Sequence, residues 1–256
     1  MSSALAAQAH EFWLQPLDYT LDTGAPMQVE WRNGEKMEGV EIPYLPQGPV
    51  SFDVVIGDQV LPYKGRLGDS PAMTMTPPGP GLALVVMETI DTVLTYEDFA
   101  KFERFVTHKR LGDVLEQHAA RGLPQVGFAE SYRRFTKALV AVGAGGGADR
   151  PMGLRIEIVA LANPYTDDLP EGMPLQLFLD GQPRPQTQVS LFAAAPDGTV
   201  TETFYLTDAE GKVTVPALAG HSYLADAVDM YALPNNDTNK GPVWHSDWAS
   251  LTYQVP

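Results

Sequence analysis

Short extended runs, each ended by glycine, proline or aspartate, recur along most of the chain and restrict it to a fold of many β-strands joined by turns. MQVEW, from Met27 to Trp31, alternates with period two. SFDVVI, from Ser51 to Ile56, meets a turn at Gly57 and Asp58 and continues as QVLPY to Tyr63. GLALVVM, from Gly81 to Met87, is continuously apolar, as a buried strand is. The pattern returns with LRIEIV from Leu154, and PLQLFL from Pro174 runs into Asp180 and Gly181, a hairpin signal. VSLF from Val189, TETFYL from Thr201, KVTVP ending at Pro216, YLADAVDM from Tyr223 and SLTYQV from Ser250 complete the series. A content of 22 Pro and 23 Gly supports strands and turns over a helical bundle. The expected fold is mainly β, with two immunoglobulin-like or transthyretin-like β-sandwich domains joined by a helical segment.

That segment spans 96–142. Phe99, Phe102, Phe105 and Val106 fall at helical spacing behind Glu97 and Asp98, acids that favour a helix N-terminus. Leu111, Val114, Leu115 and His118 continue the face until Gly122 and Pro124 stop it, and Tyr132, Phe135, Leu139 and Val140 predict a further short helix. The glycine-rich run 143–152 lacks the Lys and Ser/Thr of a phosphate-binding loop and reads as a flexible link. The expected organisation is a leader remnant over 1–9, an N-terminal sandwich over 10–95, a helical connector over 96–142, the link, and a C-terminal sandwich over 153–256 resembling the carboxypeptidase regulatory domain.

A net charge of −15 argues against a nucleic-acid groove or an anionic membrane surface, and suits neutral or cationic partners such as metal ions. No apolar run approaches the roughly 18 residues of a membrane span. The absence of cysteine removes disulfides and thiolate metal sites. No G-x-S-x-G elbow, H-E-x-x-H pair or complete calcium loop is present, so the chain is not expected to be an enzyme.

Ala7, Gln8 and Ala9 have the small-x-small form cut by a signal peptidase, although Met1 to Ala9 holds neither a basic n-region nor an apolar h-region. The expectation is a periplasmic protein whose leader is incomplete in this sequence. Cleavage there would free His10, whose α-amine and imidazole can chelate one ion together. With cysteine absent, imidazoles, carboxylates and the free amine are the donors for nickel, cobalt, copper or zinc. The candidate metal residues are His10, His108, His245 and Asp229, among five histidines that also include His118 and His221. Each histidine taken alone fits an ordinary core or surface role as well. Trp244 and Trp248, flanking His245 and Asp247, are a candidate binding rim, or else pack the last strand against the core.

AHEFWL at the mature start, SYRRFTKALV from Ser131, DRPMGL from Asp149, TDAEGKV from Thr207 and WHSDWASLTY from Trp244 together resemble the NikM-like family. These are exported bacterial proteins of unknown function, formerly described as the periplasmic component of a cobalt/nickel transport system. The resemblance spans residues 10–255. It implies a periplasmic protein linked to nickel or cobalt handling, with a membrane transporter component as partner. Asp229 stands where the family often has histidine, and His245 where it often has an acid.

Three functions follow as expectations. The first is a periplasmic accessory protein that binds a divalent transition metal. The second is a non-catalytic module that binds protein or glycan without metal. The third is a copper enzyme built on an N-terminal histidine brace.

Overall fold

The structure is a computed structural model that describes residues 11–256. In chain order its strands are β1 (Glu11–Pro16), β2 (Thr20–Leu21), β3 (Met27–Glu35), β4 (Glu38–Ile42), β5 (Pro49–Ile56), β6 (Gln59–Pro62), β7 (Met73–Met75), β8 (Gly81–Thr89) and β9 (Thr92–Tyr96). Helices α1 (Phe99–His108) and α2 (Val114–Ala120) follow. Then come β10 (Phe128–Val142), β11 (Ile156–Ala160), β12 (Met173–Leu179), β13 (Gln182–Pro183), β14 (Gln188–Ala194), β15 (Val200–Leu206), β16 (Lys212–Val215), β17 (Ser222–Ala232) and β18 (Trp244–Gln254). The chain is mainly β, as expected, and no helix of the described residues is long and apolar enough to cross a membrane.

The two sandwiches share a wall. One large sheet runs in the order β15-β14-β17-β18-β10-β8-β5-β6, and a small sheet covers part of each face. On one face Leu84, Phe135, Leu139, Leu191, Ala225 and Leu251 pack against Ile156, Ile158, Leu175 and Leu177 of the β11-β12 sheet. On the other, Val54, Val85, Ala138 and Val140 pack against Leu14, Val29 and Trp31 of the β1-β3 sheet. Strand β8 is apolar at every position from Leu82 to Met87 because successive side chains enter opposite cores.

The same double burial explains why Ser131–Val140, expected as helix, is strand. Phe135 and Leu139 enter one core and Ala138, Val140 and Val142 the other, so the period-two alternation of a half-exposed strand is missing. Strand β10 pairs in parallel with β18 along Glu130–Ala138, and antiparallel with β9 and β8 on its other edge. It is the central strand of the shared sheet rather than part of a helical connector.

The glycine-rich run is a fastened turn rather than a flexible link. Leu82 N–H donates to Gly146 O at 2.8 Å, and Asn163 Nδ2 donates to the carbonyls of Gly145 at 2.8 Å and Gly147 at 2.9 Å. Gly145 has φ +65°, and a Cβ there would lie 2.8 Å from Ala141 Cβ, so glycine fits both the turn and the close approach.

Helix α1 forms where its aromatic spacing predicts. Asp98 caps it, accepting from Ala100 N–H at 3.0 Å. It lays Phe105 flat on Trp248, with centroids 5.2 Å apart and planes at 6°, while Phe102 enters a cluster with Tyr96, Phe128 and Trp244.

Candidate functional site

The sequence candidates are divided between two cavities. Strand β18 alternates, so Trp244, Ser246 and Trp248 face the helices while His245 and Asp247 face the other way.

The first cavity, of about 640 Å³, opens beside α1 and the start of β1 and is lined by Glu11, Glu35, Glu103, His108, Lys109 and Glu202, among others. Its inner wall is held by Lys109, whose Nζ donates to Glu11 Oε1 at 2.8 Å and to Asp226 Oδ1 at 2.6 Å. Burial alone would push this ammonium down, but the carboxylates of Asp226 and Glu11 outweigh it and raise its pKa above the ordinary lysine value. The charge also lies 5.3 Å from the Trp248 ring centroid and 5.8 Å from that of Phe192. This anchor ties residue 11 to residue 109, next to His108. His108 Nε2 lies 3.0 Å from Glu202 Oε1, and that buried oxygen makes no hydrogen bond within the described structure. Imidazole and carboxylate together form a donor pair suited to a divalent transition metal. His10 lies outside the described residues. Among the described residues no three His, Asp or Glu side chains converge closely enough to hold an ion.

The second cavity, of about 840 Å³, lies at the mouth of the other core and is lined by Arg133, Arg155, Asp180, Tyr231, His245 and Asp247, among others. Ser131 and His245 are register partners across the β10–β18 pair, and Ser131 Oγ lies 2.7 Å from His245 Nδ1. His245 Nε2 lies 3.1 Å from Asp247 Oδ1. A carboxylate only accepts, so Nε2 carries the ring proton and Nδ1 accepts the serine hydroxyl. Desolvation by burial lowers the His245 pKa, which keeps the ring neutral at pH 7. Arg155 binds the far oxygen of Asp247 and stacks 4.9 Å above the Tyr231 ring.

Asp229 does not join either group of histidines; it accepts from Arg184 Nη2 at 2.8 Å. His245 and His108 line different cavities, so His108, His245 and Asp229 do not come together in one site. Trp244 and Trp248 do not form an open rim, being only 0% and 3% exposed; large aromatic surfaces contribute most when fully covered. His118 is also a core group. Its Nδ1 accepts from Trp244 Nε1–H at 3.1 Å and its Nε2 lies 3.1 Å from Pro124 O. Sequence reasoning missed Ser131, Glu202 and Lys109, whose partners are distant in sequence. Ser131 and Arg133, two positions apart and so on one face of the strand, were the available signal.

Residues 7–230 match the family described as a domain of unknown function (DUF4198). No curated protein matches the chain. Among solved structures, it is similar to the tetra-tandem repeat in the extending region of a large adhesion protein, with 11% identity and a TM-score of 0.24. That match covers 97% of this chain and 50% of the other, so the chain spans half the length of that relative. It is likewise similar to the D0-D1 domain of intimin, with 11% identity, a TM-score of 0.25, and 94% and 97% of the two chains covered.

Proposed function

The chain belongs to the DUF4198 family of unknown function, and we propose that within it this protein is a periplasmic accessory that binds a divalent transition metal at the cavity where β1 begins. One observation carries the reading. The Glu11–Lys109 contact at 2.8 Å ties the entry of β1 to the helix end that presents His108 Nε2 to the buried Oε1 of Glu202 at 3.0 Å. Residue 10 is one peptide unit from Glu11, and consecutive Cα atoms are about 3.8 Å apart. Processing after Ala9 would release an α-amine and an imidazole on the residue that precedes Glu11, and in this reading they complete a donor set with His108 and Glu202. The sequence resemblance to the NikM-like family favours nickel or cobalt as the ion and a membrane transporter component as partner.

Calorimetric titration with nickel, cobalt, copper and zinc tests this on three proteins: the chain beginning at His10, the chain beginning at Met1, and His108→Ala in the shorter form. Stoichiometric binding by the first, weakened at least tenfold in the other two, is the expected result. Equal binding by all three removes the site from this cavity.

The Ser131–His245–Asp247 chain favours a second reading, in which the larger cavity holds a small polar ligand without metal. His245→Ala would then abolish ligand-induced stabilisation while leaving metal titration unchanged.

A further inference from the structure

Lys137, on the central strand between Phe135 and Leu139, extends into the C-terminal core where Asp149 and Glu157 meet it. Its side chain is 1% exposed and those of the two acids 0% and 2%. Lys137 Nζ lies 2.8 and 2.9 Å from the two oxygens of Asp149 and 3.0 Å from Glu157 Oε1. Nothing in either cavity uses these groups.

Three charges in an apolar core carry a heavy desolvation cost, which their mutual attraction offsets only in part. Two further features go beyond what a salt bridge needs. Asp149 receives a backbone N–H on each oxygen, from Arg150 onto Oδ1 at 2.8 Å and from Ala160 onto Oδ2 at 2.8 Å. These donors are placed to hold the negative charge that develops on a carboxyl oxygen when its carbon is attacked. Glu157 is itself fixed by Met152 N–H, which donates to both its oxygens at 2.8 and 2.9 Å, leaving Oε1 beside Nζ as a proton acceptor.

We propose that Lys137 and Asp149 are the site of a self-formed isopeptide bond, with Glu157 as its proton carrier. Glu157 takes a proton from the Lys137 ammonium. Glu157 passes that proton to one oxygen of Asp149, the amine lone pair attacks Cγ of the neutral carboxyl, and the oxygen that stays becomes an oxyanion held by the backbone N–H already bonded to it, that of Arg150 on Oδ1 or of Ala160 on Oδ2. The intermediate collapses by breaking one C–O bond. That oxygen leaves as water with two hydrogens that began on Nζ, both delivered by Glu157, which is restored as a carboxylate. An ammonium and a carboxylate thus become one amide and one water, with no oxidant or external reactant. The core contributes by fixing the reacting groups in contact, where effective concentrations reach about 10⁵ M or more, and by removing two buried charges when the amide forms. The product is a cross-link joining the shared sheet to the segment that follows its glycine turn.

Intact mass of the purified full chain under denaturing conditions tests this. The expected wild-type mass is lower than the sequence mass by one water, and a tryptic digest should yield a branched peptide joining the segments that contain Lys137 and Asp149. Asp149→Asn should lose ammonia in place of water. Glu157→Gln, which keeps a hydrogen-bonding side chain of the same size, should fold and show the full uncondensed mass. A folded wild-type protein carrying the full sequence mass and no branched peptide overturns the proposal, as does a mass loss that persists in Lys137→Arg.

Discussion

Trp244 donates its indole N–H to Nδ1 of His118, 126 residues away in sequence, and this 3.1 Å bond locks a histidine in its neutral form inside the helical core. Desolvation by burial lowers the His118 pKa, as it does that of His245. A histidine whose folded pKa is depressed binds its proton more readily in the unfolded chain, so the unfolded state gains from acid before the folded state does. Stability at pH 8 should therefore be fully retained down to the ordinary histidine value of 6.5 and fall as pH drops below it. Guanidinium midpoints between pH 8 and pH 5 measure this, and a double replacement His118→Gln, His245→Gln should flatten the slope in that window.

Replacing Lys109 by Met should destabilise the protein by about 3–5 kcal/mol, because the buried carboxylates of Glu11 and Asp226 lose the ammonium that donates to both. Adding Glu11→Gln and Asp226→Asn should recover most of the loss. Equilibrium denaturation of the single and triple variants gives both numbers.

Asn163→Ala strands two glycine carbonyls without their side-chain donor. A buried acceptor left unmade costs about 1–3 kcal/mol. Amide exchange over 143–149 should accelerate in the variant, whereas a free link would already exchange at its maximum rate in the wild type.

Leu84 is 1% exposed on the two-faced strand β8. Its truncation to Ala should cost about 2–5 kcal/mol. Val93, on the exposed edge segment, should tolerate Ala within about 0.5 kcal/mol by the same denaturation assay.

The residues announced their structure wherever one face of an element meets water. Helix α1 follows from Phe102, Phe105 and Val106, and the β12 turn follows from Asp180 and Gly181, since each signal is complete within a few neighbours. Strand β10 gave no such signal, because Phe135 and Val140 are both buried on opposite sides and a helix would space them equally well. The cavities were harder still. Ser131 and His245 touch only because two strands 114 residues apart run in parallel register, and Glu202 reaches His108 from a separate hairpin. His245 and Asp247 were legible as a pair, but their contact with Arg155 depends on the start of the C-terminal sandwich. Buried ionic clusters such as Lys137 with Asp149 and Glu157 run against the expectation that charged residues lie outside.

Strands β8 and β10 carry a core on each face, so neither sandwich can loosen without stripping a wall from the other. The two halves have one unfolding transition between them: heating should give a single cooperative endotherm with matching calorimetric and van't Hoff enthalpies, and neither half expressed alone should hold its fold.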